Sequence, residues 1–354
     1  MDTDNIAPIA RLIAWHTGEG EAGARPGGTT RSLVLSDAGQ LEPAVAAGLV
    51  GQDTVVLLPP GLTPPEDGPG QVLVYDGPIA TPSTEITIGE DFYLYCQDYA
   101  TSEYLSVIGP TIVGIFTEDD FRALIRDADA ARAEGTIPEF LRSPAVRIAN
   151  VPALRGAVGD GPRQRLFVGP DGVVSTSTVG RRIGDVSDGM TTLEEEWLTQ
   201  NTGSAHPCAV CLGGAVAEDV RSDAVAQRPW LGRYLTVLDT VRELAVRGVA
   251  DVSFSGFGGR LNDGLTRDPG LADDDGADRP LLAWNDHEAF LRDPVRRKTF
   301  RFNRDAAEAV EAVIATGSVE AAATLVPQSA AARAADQLAA YGLNAAATGE
   351  VVNV

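Results

Sequence analysis

Apolar and polar positions follow two rhythms along this chain. Through the first 110 residues, short apolar runs recur between turn formers: Arg11–Trp15, Leu33–Leu35, Val55–Leu58, Val72–Tyr75, Glu85–Ile88 and Phe92–Cys96, with Gly and Pro gathered between them as in PPGLTPPEDGPG at 59–70. Runs this short, bounded this way, predict strands; only Glu42–Leu49 reads as a helix among them. A strand at Thr111–Phe116 leads into EDDFRALIRDADAARAEG, where Phe121, Leu124, Ile125 and Ala128 fall on one helical stripe behind an acidic first turn. That combination predicts an amphipathic helix. Further on, Arg165–Val168 and Val173–Thr176 flank GPDG, the chemistry of a hairpin. Residues 228–248 read as a second long helix ending at Gly248, and VSFS at 252–255 as a strand after it.

Beyond a Gly- and Asp-rich stretch at 262–278, expected to be a linker, the rhythm changes. LLAW at 281–284 is a short apolar run, DHEAFLRDP at 286–294 is turn-like and polar, and RRKTFRFN at 296–303 alternates as a strand does. Three short helices fit the remainder. The first opens behind Asn303 as its cap, buries Ala306, Val310, Val313 and Ile314, and ends at Gly317; Ser318 caps the second, whose stripe is Val319, Ala322, Ala323 and Val326. Pro327 closes that helix and starts the third, with Ala331, Ala334, Ala335 and Leu338 on one face before Gly342. The expected fold is α/β in the α+β sense: a mixed-sheet body followed by a winged-helix-like module of three strands and three helices. The expected divisions are an N-terminal domain at 1–160, a middle region at 161–261, a linker at 262–280 and the module at 281–354.

Charge narrows the partners. With 28 Lys and Arg against 50 Asp and Glu the formal charge is -22, a surface that repels phosphate backbones and anionic lipid headgroups. Neither nucleic acid nor membrane is expected as a partner. The longest apolar runs fall far short of the roughly 20 residues a spanning helix needs, and the N-terminus has no signal-peptide pattern. Three cysteines make no disulfide framework, so a cytoplasmic setting is expected.

Candidate chemistry is sparse. His206, Cys208 and Cys211 form the densest set of metal-ligand types, and Cys96 is the remaining cysteine. A structural zinc needs four ligands, so the set reads either as unligated thiols in a loop, as a structural zinc site, or as a redox pair. The Pro207–Cys211 segment resembles half of the zinc nucleobase deaminase motif, but the preceding His-x-Glu is missing. GFGG at 256–259 follows a strand, yet no helix opens after it to seat a dinucleotide phosphate. Glu194–Glu196 reads as the exposed side of a short helix containing Leu193 and Trp197. No nucleophile elbow, P-loop or His-Glu-x-x-His motif is present, and three histidines offer few general bases, which favours binding over catalysis. No cofactor is expected beyond that possible structural zinc.

The order F-x-F-N at 300–303, DAAEAVEAVIATGSVEAAATL at 305–325 and AADQLAAYGL at 334–343 resembles the PqqD-like recognition element of proteins that make ribosomally synthesised, modified peptides. The whole chain looks like the recognition proteins of daptide pathways, a resemblance that extends more loosely to PRQRLFVGPDGVVSTS at 162–177 and CAVCLGG at 208–214. The resemblance implies that the leader of a precursor peptide adds a strand beside Lys298, Thr299, Phe300, Arg301 and Phe302, opposed by Arg333, Gln337, Leu338 and Tyr341. It also implies an alcohol-dehydrogenase-like enzyme and a pyridoxal-phosphate aminotransferase as partners. On the strand, Arg297, Thr299 and Arg301 share one face, and Lys298, Phe300 and Phe302 the other. The plainer alternative makes Phe300 and Phe302 core residues and Arg296, Arg297, Lys298, Arg301 and Arg304 a solvated edge that discourages aggregation. Two rival functions stay open: a zinc-dependent modifying enzyme or azoline-pathway E1-like partner using Cys208 and Cys211, and a winged-helix DNA regulator. Against the last, residues from 281 onward hold seven Lys or Arg against nine Asp or Glu.

Overall fold

The computed structural model describes residues 6–19, 28–61, 69–89, 92–155, 161–204, 208–272 and 275–343. The fold is α+β, with a large mixed sheet and a second, antiparallel one. Two compact units divide the chain: Met1–Ile125 with Ala145–Gln227, and Arg126–Pro144 with Arg228–Val354. The stretch 161–261 contributes to both, because its hairpin joins the large sheet and its last strand joins the small one.

In the first unit the strands are β1 (Ser32–Leu35), β2 (Val55–Leu58), β3 (Gln71–Asp76), β4 (Thr84–Ile88), β5 (Phe92–Asp98), β6 (Thr111–Gly114), β7 (Val146–Ile148), β8 (Arg165–Val168), β9 (Val173–Ser175) and β10 (Gly184–Asp185). Their order is β10-β9-β8-β1-β2-β3-β4-β5-β6-β7. β8, β1, β2 and β3 run parallel, as do β5, β6 and β7, while β4 and β9 run against their neighbours. β1, β2, β6 and β8 are buried at every residue, the mark of parallel strands covered on both faces. The pleat then sorts side chains by parity. Leu33, Leu35, Val56, Leu58, Leu166 and Val168 enter one core with Met190, Leu193 and Trp197 of the helix Met190–Thr202. Val34, Leu57 and Phe167 enter the other, with Leu12 and Trp15.

Those last two residues correct one expectation. Arg11–Trp15 is not a strand but lies within the helix Ile6–Thr17. Its apolar run looks strand-like in isolation, but Leu12, Trp15 and His16 are buried at helical spacing, beside half-buried Ile9 and Ile13. The helix is fixed to the sheet through polar bonds: Trp15 Nε1 donates to the Leu166 carbonyl at 3.1 Å, and the buried Arg165 guanidinium donates to Trp15 O at 2.7 Å and to Asn150 Oδ1 at 2.8 Å.

In the second unit β11 (Ser253–Phe254), β12 (Leu281–Trp284), β13 (Glu288–Asp293) and β14 (Lys298–Asn303) form an antiparallel sheet in the order β11-β12-β13-β14. Three helices follow, Arg304–Thr316, Val319–Ala322 and Gln328–Ala340. The local signals act as expected. Asn303 Oδ1 accepts from the Asp305 amide, Ser318 Oγ accepts from the Ala321 amide, and Gly317, at φ 72°, closes the first helix in the left-handed conformation open to glycine. Val310, Val313, Ile314, Ala322, Ala331 and Leu338 pack with Leu282, Leu291 and Phe302 in one core; Ala306 is only half-buried, and Ala307 takes the inward place expected of it. Within the stretch read as a linker, Asn262 caps a short helix, Asp263–Arg267, and Leu265 is fully buried. The helix Leu231–Val246 contributes Leu235, Leu238 and Leu244 to the interior of this unit.

Among the described residues no helix is long and apolar enough to cross a membrane.

His16 yields a pH prediction. Burial first, and the Arg165 charge second, hold its imidazole down to about 3 from an ordinary 6.5. Below pH 6.5 the unfolded chain therefore binds a proton that the folded chain refuses, and stability falls with falling pH by at most about 1.4 kcal/mol per unit. Urea midpoints measured at pH 7 and pH 5 should drop more for the natural protein than for His16→Gln; equal drops would show that the imidazole does not titrate this way.

Candidate functional site

β14 is the last strand of its sheet. One edge pairs with β13, Lys298 opposite Asp293, Thr299 opposite Arg292, Phe300 opposite Leu291, Arg301 opposite Phe290 and Phe302 opposite Ala289. Its other edge has no strand partner among the described residues. The expected alternation holds. Phe302 is buried in the module core and Phe300 half-buried against it. On the other face, the Thr299 hydroxyl accepts from the Arg292 guanidinium at 3.2 Å, and Arg301 pairs with Glu288 at 2.5 Å.

The third helix meets this strand through Tyr341. The Phe300 and Tyr341 ring centroids lie 4.5 Å apart, and Phe302 presents its ring to Tyr341 edge-on at 5.6 Å. Such offset and edge contacts are favourable aromatic geometry. Leu338 lies buried beneath, whereas Arg333 is exposed, Gln337 half-buried and Tyr341 still 36% exposed. Arg333, Gln337 and Tyr341 are four residues apart, so one side of the helix carries all three. The named strand and helix residues therefore meet at Phe300, Phe302 and Tyr341. Phe302 and Leu338 serve the core, as the plainer reading holds for Phe302; Phe300 and Tyr341 are partly open.

The basic cluster is unevenly committed. Arg296 donates to the Gly342 carbonyl at 2.8 Å and stands 3.4 Å from Asp293, Arg304 donates to the Asn285 carbonyl, and Arg301 is paired. Lys298 and Arg333 make no ion pair among the described residues. Sequence reasoning did not identify Glu288, Asp293 and Arg292 as the groups that neutralise or orient this strand. The signal that finds them is the hairpin register, which sets cross-strand neighbours.

The thiols lie elsewhere, in the first unit. Cys96, Cys208 and Cys211 are all buried, and burial pushes the Cys96 thiol up to about 12, with the Asp98 charge adding to the effect. His206 falls outside the described residues. Among those described, no three His, Cys, Asp or Glu side chains cluster as metal ligands. Cys208 and Cys211 alone do not complete a zinc site.

No protein-family model, curated protein or solved structure matches this chain.

Thiols buried away from solvent react slowly. An aromatic disulfide reagent should find no fast thiol in the native protein and three after denaturation. One equivalent of zinc, lost in Cys208→Ser, would instead establish the metal site.

Proposed function

We propose that this chain is a recognition protein for ribosomally made precursor peptides. It binds the leader as an added strand along β14 and presents the precursor to modifying enzymes, an alcohol-dehydrogenase-like protein and a pyridoxal-phosphate aminotransferase, in a daptide-like pathway. One observation carries the reading: the edge of β14 that has no strand partner among the described residues runs beside a half-open aromatic pair, Phe300 and Tyr341, contributed by strand and helix. An incoming extended segment finds backbone groups for ladder hydrogen bonds and an apolar seat for one of its side chains. Uncommitted Lys298 and Arg333 add attraction for an acidic leader, which favours encounter rate and register more than raw affinity. Raising local concentration is then sufficient function, since a tethered precursor meets its enzymes intramolecularly.

The test titrates the full chain with a synthetic leader peptide of a daptide-type precursor, followed by amide NMR. Shifts are expected along 298–303 and 337–341. Tyr341→Ala and Phe300→Ala should each weaken binding about tenfold, the scale of a lost interfacial aromatic, without loss of helical circular dichroism. A leader that binds with no shift in either segment would overturn the reading.

A further inference from the structure

At the opposite edge of the small sheet, a cavity of about 300 Å³ lies beside β11, within the range of small-ligand sites. Its wall includes the SGFGGR loop at 255–260, which is held from three sides. The Gly258 amide donates to the Arg132 carbonyl at 3.1 Å. Arg132 itself lies over the Trp230 and Phe257 rings, 5.5 and 5.4 Å from their centroids, and pairs with Asp275. At the loop's far end the buried Glu311 carboxylate accepts from the Ser255 hydroxyl at 2.7 Å and from the Asn262 amide at 2.6 Å. Gly258, at φ 73°, lies so close to the helix end that a Cβ there would come within 2.4 Å of the Gly135 nitrogen. The loop is thus fixed before any ligand arrives.

Its lining residues carry polar groups that are open to solvent at Glu134, Ser253 and Gly259 and half-buried at Trp284. Among the described residues, the Glu134 carboxylate, the Ser253 hydroxyl, the Trp284 indole N–H and the Gly259 amide have no protein partner. The cavity's cation, Arg260, is already engaged: it donates to Ser255 at 3.1 Å and its charge faces Glu311. What remains unmatched is one negative charge in a cavity whose lining includes the half-buried Trp284. A cation next to an indole face gains from both the ring quadrupole and a nearby carboxylate.

We propose that this cavity binds the ammonium group of a small organic amine, with Glu134 as its counter-ion, Trp284 as its aromatic wall, and the Gly259 amide and Ser253 hydroxyl taking polar atoms elsewhere on the ligand. The site is independent of strand addition at β14.

Benzylamine, benzyl alcohol and benzoate form a probe series of nearly one shape and three charge states. Each is titrated into the full chain while the Gly259 amide and the Trp284 indole are followed by NMR, the latter assigned by its absence in Trp284→Phe. Benzylammonium should move both signals saturably, benzyl alcohol should bind more weakly, and Glu134→Gln should weaken benzylammonium about tenfold with the rest of the spectrum unchanged. Benzoate binding as tightly as benzylammonium, an unaltered affinity in Glu134→Gln, or no saturable shift would each overturn the proposal.

Discussion

The candidate site depends on the one-sided anchoring of β14. Because side chains alternate across a pleat, burying Phe302 in the module core fixes Phe300 on the same side and places Thr299 and Arg301 on the other. A slip by one residue would exchange the faces, putting Arg301 against the helices and both phenylalanines outside. The apolar anchor and the Arg301–Glu288 and Thr299–Arg292 contacts all favour one register, so the outer backbone edge is presented in a single phase. Strand addition requires that property of its template, and the aromatic contact with Tyr341 brings the helix to the same place.

The C-terminal module was legible because its signals are local. Asn303, Gly317 and Ser318 act within one or two residues of themselves, and the apolar stripes of its helices are buried nearly as spaced, displaced by one position only at Ala306 and Ala307, where abundant alanine blurs the pattern. The N-terminal helix was misread for the opposite reason. RLIAW is apolar on almost every residue, so five positions contain no usable period, and the helical stripe appears only when Ile9 and His16 are included. Elements such as β7 and the helices Glu139–Arg142 and Val151–Arg155 are shorter than any window in which periodicity can be measured.

The sites were legible to different depths. Phe300, Phe302 and Tyr341 stand out through strand alternation and a helix end. Which cations of the basic cluster stay uncommitted depends on Glu288, Asp293, Asn285 and Gly342, which reach them only through the folded register. The glycine cluster at 256–259 was visible as a loop without phosphate geometry. Its cavity is invisible in sequence, since Glu134, Gly259 and Trp284 come from three separated segments.

The packing of Gly258 against Gly135 also bears on how this protein can change over time. Two backbones touch there without side chains between them, so even alanine at 258 would have to displace a peptide group rather than a flexible side-chain tip. Neighbouring aromatic or charged positions can drift and be compensated by repacking. Here a missing atom sets the spacing, and nothing nearby can substitute for it.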